Sequence, residues 1–234
     1  MADYVYEVAL TGERIQQESV LTWFDTVAAP AWTELPGLSA VDIYSVFSGA
    51  AHDPFVNDGP GPLLLAMLQF PTVDQMSRAI SDPTFEPSLG GCPTNILVTG
   101  TPFERRFYPV GGETAPRQLS APFSYVVRYH RPAEDEAAFV AHYLDTHPAL
   151  LSQLPRIRSV LCYLPCTFAP KVLLAADTMI GNEVAFDNVD DFNAAMASPI
   201  RQEARRHFNS FPPFTGLNTH YPMLRRQLTG SRRA

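Results

Sequence analysis

Hydrophobic and polar positions alternate over 123–130, with Val126 the one exception. Phe123, Tyr125, Val127 and Tyr129 fall on one side, and Ser124, Val126, Arg128 and His130 on the other. A period of two is what a strand with two distinct faces requires. The acidic stretch RPAEDE then opens a helix. Phe139, Tyr143 and Leu150 recur at helical spacing, and the pattern ends near Pro155. RSVLCYL and TMIGNEVAF read as two further strands. NVDDFNAAMAS reads as a helix with Asn188 as its cap and Asp190 and Asp191 in its first turn. ARRHFNSF continues it after a break at Pro199, and GLNTHYPML is a last strand.

The same order is written once before. LPGLSAVDIYS (35–45) aligns with LPRIRSVLCYL (154–164) at an offset of 119, and FPTVDQMSRAISDP (70–83) with FDNVDDFNAAMASP (186–199) at 116. YVYEVAL (4–10) meets FSYVVRY (123–129), and Asp25-Thr26 meets Asp145-Thr146. A repeat in fixed order at a nearly constant offset marks a duplicated unit. The first copy predicts strands near 4–10, 39–47, 62–70 and 95–103, with helices near 17–33 and 72–81. The expected organisation is a first repeat over 1–110, a Gly/Pro/Ser-bearing linker over 111–122, a second repeat over 123–226 and a basic tail over 227–234. Each βαββαβ unit leaves one bare sheet face. Two copies in one chain can cover each other, which predicts an α+β fold packed sheet to sheet with the helices outside.

Composition narrows the function. Of 234 residues, 46% are hydrophobic and 18% charged, enough for a large core. The formal net charge of −7 argues against nucleic-acid or anionic-membrane partners. The basic tail RRQLTGSRRA reads as a solvated end. The start MADYVYEVAL carries no secretory signal, and no apolar run approaches the roughly 18 residues of a membrane span, so a cytoplasmic location is expected. Cys92, Cys162 and Cys166 read as free buried thiols; the lone C-x3-C spacing of the last two is poor evidence for zinc. Nucleotide loops, HExxH and GxSxG are all missing.

Two βαββαβ units with a first helix ending in YLDTHPAL resemble the dimeric α+β barrel superfamily, and within it the EthD-like proteins. The architectural resemblance covers nearly the whole chain. The EthD-like part is the second half: YVVRYHRPAEDEAAFVAHYLDTHPALLSQLP with VAFDNVDDFNAAMASP. The first half departs from it, with Val27 or Ala28 where His147 would align. The resemblance implies ferredoxin-like repeats arranged as a pseudo-dimer, with a small-molecule pocket between sheet and helices. Members of the superfamily include cyclases, lactone isomerases, hydroxynitrile lyases, quinone-forming monooxygenases and decarboxylases; others bind heme.

His147 is the first candidate for chemistry. At a helix C-terminus an imidazole gains from the partial negative charge, which raises its pKa; it is also the side chain suited to proton exchange near neutral pH. In a ferredoxin-like sheet the first and last strands are neighbours, so His130, His147 and His220 are expected to converge on one cleft. Tyr129 is a candidate to stabilise a developing oxyanion. Tyr125, Tyr143, Tyr221 and Arg128 are candidates for substrate binding, and Asp145 could orient an imidazole. His142 reads as surface or core trim, His52 and His207 as structural or solvated. The expectation is an enzyme without organic cofactor or metal, of cyclase, lyase or isomerase type, with His147 as general acid/base on a small apolar, aromatic or polyketide-like compound. An oxygenase or heme protein of the same fold and a non-catalytic binding module are the alternatives. Self-association as a homodimer stays open.

Overall fold

The computed structural model describes residues 3–56, 58, 61–113 and 119–230. The first half runs β1 (Asp3–Thr11), α1 (Gln17–Trp23), α2 (Ala29–Thr33), β2 (Ala40–Val46), β3 (Leu64–Phe70), α3 (Val73–Ile80), α4 (Phe85–Ser88) and β4 (Leu97–Tyr108). The second runs β5 (Phe123–His130), α5 (Glu136–Leu151), β6 (Ser159–Pro165), β7 (Thr178–Phe186), α6 (Val189–Met196), α7 (Pro199–Phe208) and β8 (Asn218–Thr229). Side-chain caps start the helices where the sequence places them. Thr72 accepts from the Gln75 amide, Asp135 from Ala138 and Asn188 from Asp191.

All eight strands close into one antiparallel barrel in the order β1-β3-β2-β8-β5-β7-β6-β4. Each half contributes four adjacent strands, and the closing pairs are β2 with β8 and β4 with β6. The expected sheet-against-sheet barrel within one chain is thus a continuous wall that the two halves share. Closure also lengthens the last strand of each half. β4 runs to Tyr108 against β6, and β8 runs to Thr229, with Leu228 opposite Val41 and Thr229 opposite Ala40. The start of the expected basic tail is therefore strand; residues 231–234 and linker residues 114–118 lie outside the described residues. No helix among the described residues is long and apolar enough to cross a membrane.

The helix expected over 17–33 is interrupted by a π turn at Phe24–Ala28. The repeat offset explains it. Asp25 meets Asp145 at 120, but Leu35 meets Leu154 at 119. The first copy carries one residue more, and a π turn is how a helix absorbs a single insertion. Val27 is consequently exposed and Ala28 fully buried, so Ala28 takes the inward position that His147 takes in α5.

Alternation sorts each strand between barrel interior and helix layer. Phe123, Tyr125, Val127 and Tyr129 pack under the helices with Phe139, Tyr143 and Phe192. Val126 joins Val5, Tyr44, Leu65, Met67, Phe103 and Tyr163 inside the barrel. The interior is also charged. Arg128 pairs with Glu7, its guanidinium 4.7 Å from the Tyr163 ring centre. A Cβ on Gly181 would stand 2.6 Å from Arg128 Nη1, so only glycine leaves room for that guanidinium. Asp42 accepts from Arg105 Nη1 (3.1 Å), Arg225 Nη2 (2.5 Å), Gln227 Nε2 (2.8 Å) and the Gln69 amide. Glu183 accepts from Ser124 and Tyr163 (both 2.5 Å) and Tyr44 (3.1 Å), and burial raises its pKa. Asp42 and Glu183 each have several donors and Glu7 has the Arg128 guanidinium, the condition under which buried charge is tolerated.

Candidate functional site

Between the outer face of β5, β7 and β8 and the helices α5 and α7 lies a cleft of about 530 Å³, counting the space open to solvent. Its apolar wall includes Val127, Val184, Leu151, Met196 and Phe208; its polar groups are Tyr125, Tyr129, His147, Asn182, Asn218, His220, Arg201, Arg205 and Asp53. A wider outer chamber, of about 830 Å³ on the same measure, shares Asp53, Val56, Tyr125 and His220 with it.

Strand alternation decides which expected residues meet. Tyr125, Tyr129, His147 and His220 share the cleft. Tyr143 lies behind it, fully buried, with its ring centre 5.5 Å from Tyr129 and 4.8 Å from His147. His130 and Arg128 project to the other face of β5: His130 Nε2 meets Thr219 Oγ1 at 3.0 Å, and Arg128 is committed to Glu7. Tyr221 pairs across from Val126 and so also faces away, its ring against Gly61. The three imidazoles expected in one cleft are therefore two. Asp145 is exposed and accepts from Thr146 rather than from an imidazole.

His147 sits one turn before the end of α5, on the side of the helix where the dipole would favour a cation. Burial wins: only 6% of the residue is exposed, and its pKa is pushed down to about 3 by that burial, by His207 and by Arg201. The expected rise in pKa is a fall. His147 Nδ1 stands 3.1 Å from His207 Nδ1. His207, expected to be structural or solvated, is half-buried and stacks on His142 with 4.9 Å between ring centres. The ring of His147 is thus a neutral hydrogen-bonding group with Nδ1 occupied and only Nε2 left to offer.

A stability consequence follows by linkage. The unfolded imidazole titrates near 6.5 and the folded one near 3, so between those values the unfolded chain binds the extra proton. The folded state is undiminished above pH 6.5 and loses on the order of 4 kcal/mol from this group as pH falls toward 3. The drop in urea midpoint between pH 7 and pH 4 should be smaller in His147→Phe than in the native chain.

His220 is placed differently. Its Nδ1 lies 2.8 Å from Asp58 Oδ2, and its backbone amide donates to the same oxygen at 2.5 Å. A carboxylate at Nδ1 fixes that nitrogen as the N–H and leaves Nε2 as a base. Its ring stacks on Tyr125 at 5.7 Å.

Asp53 and Arg201 escape a sequence reading because the loop and helix that carry them are 148 residues apart. Arg201 grips both Asp53 oxygens (2.8–3.1 Å), and Tyr125 Oη donates to Asp53 Oδ2 at 3.0 Å. Burial, then Asp53, hold the Tyr125 phenol well above its usual pKa. Phe55 lies against both Arg201 and Arg205. A loop of the first half thus closes the cleft of the second.

The first half is an internal control. Val127 opposes His220 as Val8 opposes Gly100, and Tyr125 opposes Pro222 as Tyr6 opposes Pro102. Gly100 is therefore the counterpart of His220. At the offset of 116 that relates Pro83 to Pro199, Arg201 corresponds to Phe85; at 119, Leu151 corresponds to Trp32. Trp32 and Phe85 fill the space, with Tyr6 on Phe85 and on Phe168 from the loop after β6. The first half forms the same strands and helices with Ala28, Gly100 and Phe85 at these positions, so His147, His220 and Arg201 are not a requirement of the architecture. A polar residue where the other copy has Phe or Gly is the signal that could have found Arg201.

His147 does not fit an axial heme ligand, whereas His220, with Asp58 at its Nδ1, carries the steering such a ligand has. An axial histidine is usually steered through its second nitrogen by a carboxylate or carbonyl. His147 is held there by another imidazole, and Arg201, the nearby cation, is committed to Asp53. Among the described residues no group of three or more His, Cys, Asp or Glu could hold a metal ion. The three cysteines are free; Cys162 is buried, Cys92 and Cys166 half-buried.

No protein-family model matches the chain, and a search of curated proteins finds no match. Solved structures do. An anthrone oxidase-like protein aligns with 99% of this chain and 94% of its own at 12% identity, TM-score 0.67. A candidate monooxygenase from Lactobacillus acidophilus NCFM aligns over 99% and 98% at 10% identity, TM-score 0.54. Another from Fusobacterium nucleatum subsp. nucleatum aligns over 97% and 94% at 8% identity, TM-score 0.56. At such identities the likeness is one of fold: the chain has the dimeric α+β barrel fold.

Proposed function

We propose that the second-half cleft binds a small, enolisable aromatic compound and, without an organic cofactor, promotes its oxidation by dioxygen. The carrying observation is the pairing in one apolar cleft of a carboxylate-oriented base, His220, with a neutral buried imidazole, His147, both missing from the copy. On this reading His220 Nε2 takes the C–H proton. His147 Nε2–H and the Tyr129 phenol, kept protonated by burial, donate to the oxyanion that forms. A buried imidazole that resists protonation is a poor base but a good hydrogen-bond donor to an enolate, the pattern in which a neutral His polarises a carbonyl. Within the superfamily we assign the second half to the EthD-like proteins on its His-Pro helix, and read each half as a ferredoxin-like unit.

Proton abstraction with oxyanion stabilisation also serves cyclases, lyases and isomerases. The oxygenase reading is preferred for the fold neighbours described as anthrone oxidase-like and as candidate monooxygenases. An anthrone tests it directly. Its CH₂ carbon loses two hydrogens and gains one oxygen atom of O₂ to give the quinone; the other oxygen leaves as water. With a panel of anthrones and related enolisable phenols, an oxygen electrode and quinone absorbance should report one O₂ consumed per quinone formed, well above the uncatalysed rate. Substrate converted equally fast under nitrogen, to a product at the same oxidation level, would move the assignment to the cyclase or isomerase class. No acceleration over buffer across the panel would overturn the oxidase reading.

A further inference from the structure

We infer that His207 is a positioning residue, which fixes the tautomer of His147 so that Nε2 of the buried ring presents an N–H, not a lone pair, to the cleft. The inference rests on the functional reading above for its purpose, but its geometry stands alone. The two Nδ1 atoms are 3.1 Å apart, so between two neutral rings one must donate and the other accept.

The two choices are not equivalent. If His147 donates, His207 carries its proton on Nε2, and that atom is buried without a partner. If His207 donates, its Nε2 is a bare acceptor in the same place. An orphaned buried donor is the rarer and costlier of the two. The favoured state puts the proton on His207 Nδ1 and leaves His147 protonated at Nε2.

The surroundings keep the pair neutral. Arg201 on α7 and His207 itself disfavour protonation of His147. His142 on α5 disfavours it at His207, with Asp145 opposing. His142 also anchors the second ring by stacking at an interplanar angle of 4° while its Nε2 meets Ser210 Oγ at 3.3 Å. Phe211 packs edge-on against both His147 and His207. The ring of His207 is therefore held on three sides, which a merely solvated histidine would not need.

The test needs no substrate. Long-range ¹H–¹⁵N correlation spectra of the histidines at neutral pH report which ring nitrogen carries the proton. The native chain should show His147 protonated at Nε2. His207→Asn keeps an amide N–H near the Nδ1 position and should preserve that tautomer; His207→Asp puts an acceptor there instead and should shift His147 to Nδ1–H. His147 protonated at Nδ1 in the native chain would overturn the inference. So would an unchanged tautomer in His207→Asp with His207→Asn folded alongside it. If the oxidase reading fails on the anthrone panel, these spectra still decide the role of His207.

Discussion

Asp42→Ala is expected to cost about 3–5 kcal/mol of stability, the penalty for breaking a buried charge network from one side. Asp42 is fully buried and accepts from two guanidiniums and two amides. Removing it leaves Arg105 and Arg225 as like charges inside the barrel. Arg105 retains Asp3; Arg225 keeps no other carboxylate partner among the described residues. The network also bridges the copies, because Asp42 lies on β2 and Arg225 on β8, across a closing seam. Urea denaturation of Asp42→Ala should show the full loss. Replacing Asp42, Arg105 and Arg225 together by apolar residues of similar volume should recover much of it, since the charges are then removed as a set. A single mutant within about 1 kcal/mol of native would show that water reaches these guanidiniums.

The interior network marks where sequence reading stops. Alternation in FSYVVRYH separates Ser124, Val126 and Arg128 from Tyr125, Val127 and Tyr129, and the structure keeps that separation. Alternation does not say which side is the closed lumen. Arg128, next to tyrosines in sequence, is a natural ligand-binding candidate until the barrel closes and Glu7, 121 residues away, becomes its partner. The same holds for His130 and Tyr221. Local periodicity places a residue on a face; strand pairing across the repeats decides what that face meets.

What the duplication makes legible is different. The order of elements, the caps at Asn188 and Asp135 and the asymmetry between His147 and its copy all follow from comparing the chain with itself. Even the π turn is written there, as a change of offset from 120 to 119. The comparison is silent on Asp53, because loops after β2 and β6 differ in sequence while both reach across to cover the other half's cleft. It does not sort the arginines of α7, which look alike in sequence. Only the fold shows that Arg201 turns inward to Asp53 while Arg206 faces outward and remains exposed.

His147→Asn should lower turnover by roughly 10²- to 10³-fold, the usual effect of removing one donor to a developing oxyanion. Asparagine is the informative choice. Its amide can still meet His207 Nδ1, so the hydrogen bond that buries the ring survives while the Nε2 group is lost. His147→Ala confounds two effects, since it also opens a cavity beside Tyr143 and leaves His207 Nδ1 without a partner, about 1–3 kcal/mol on its own. The expected result for His147→Asn is a melting temperature within a few degrees of native, a collapsed kcat, and a KM changed far less, because the lost bond forms mainly in the transition state. His220→Asn should also lose turnover, but by removing the base. Its defect should be relieved by raising pH with a substrate already near its own ionisation, whereas that of His147→Asn should persist. Normal turnover in a folded His147→Asn protein would return this imidazole to the packing of α5 against α7. The contrast between YLDTHPALLSQLP and FDTVAAPAWTELP would then reflect core volume alone, with Trp32 filling one half and a histidine pair the other.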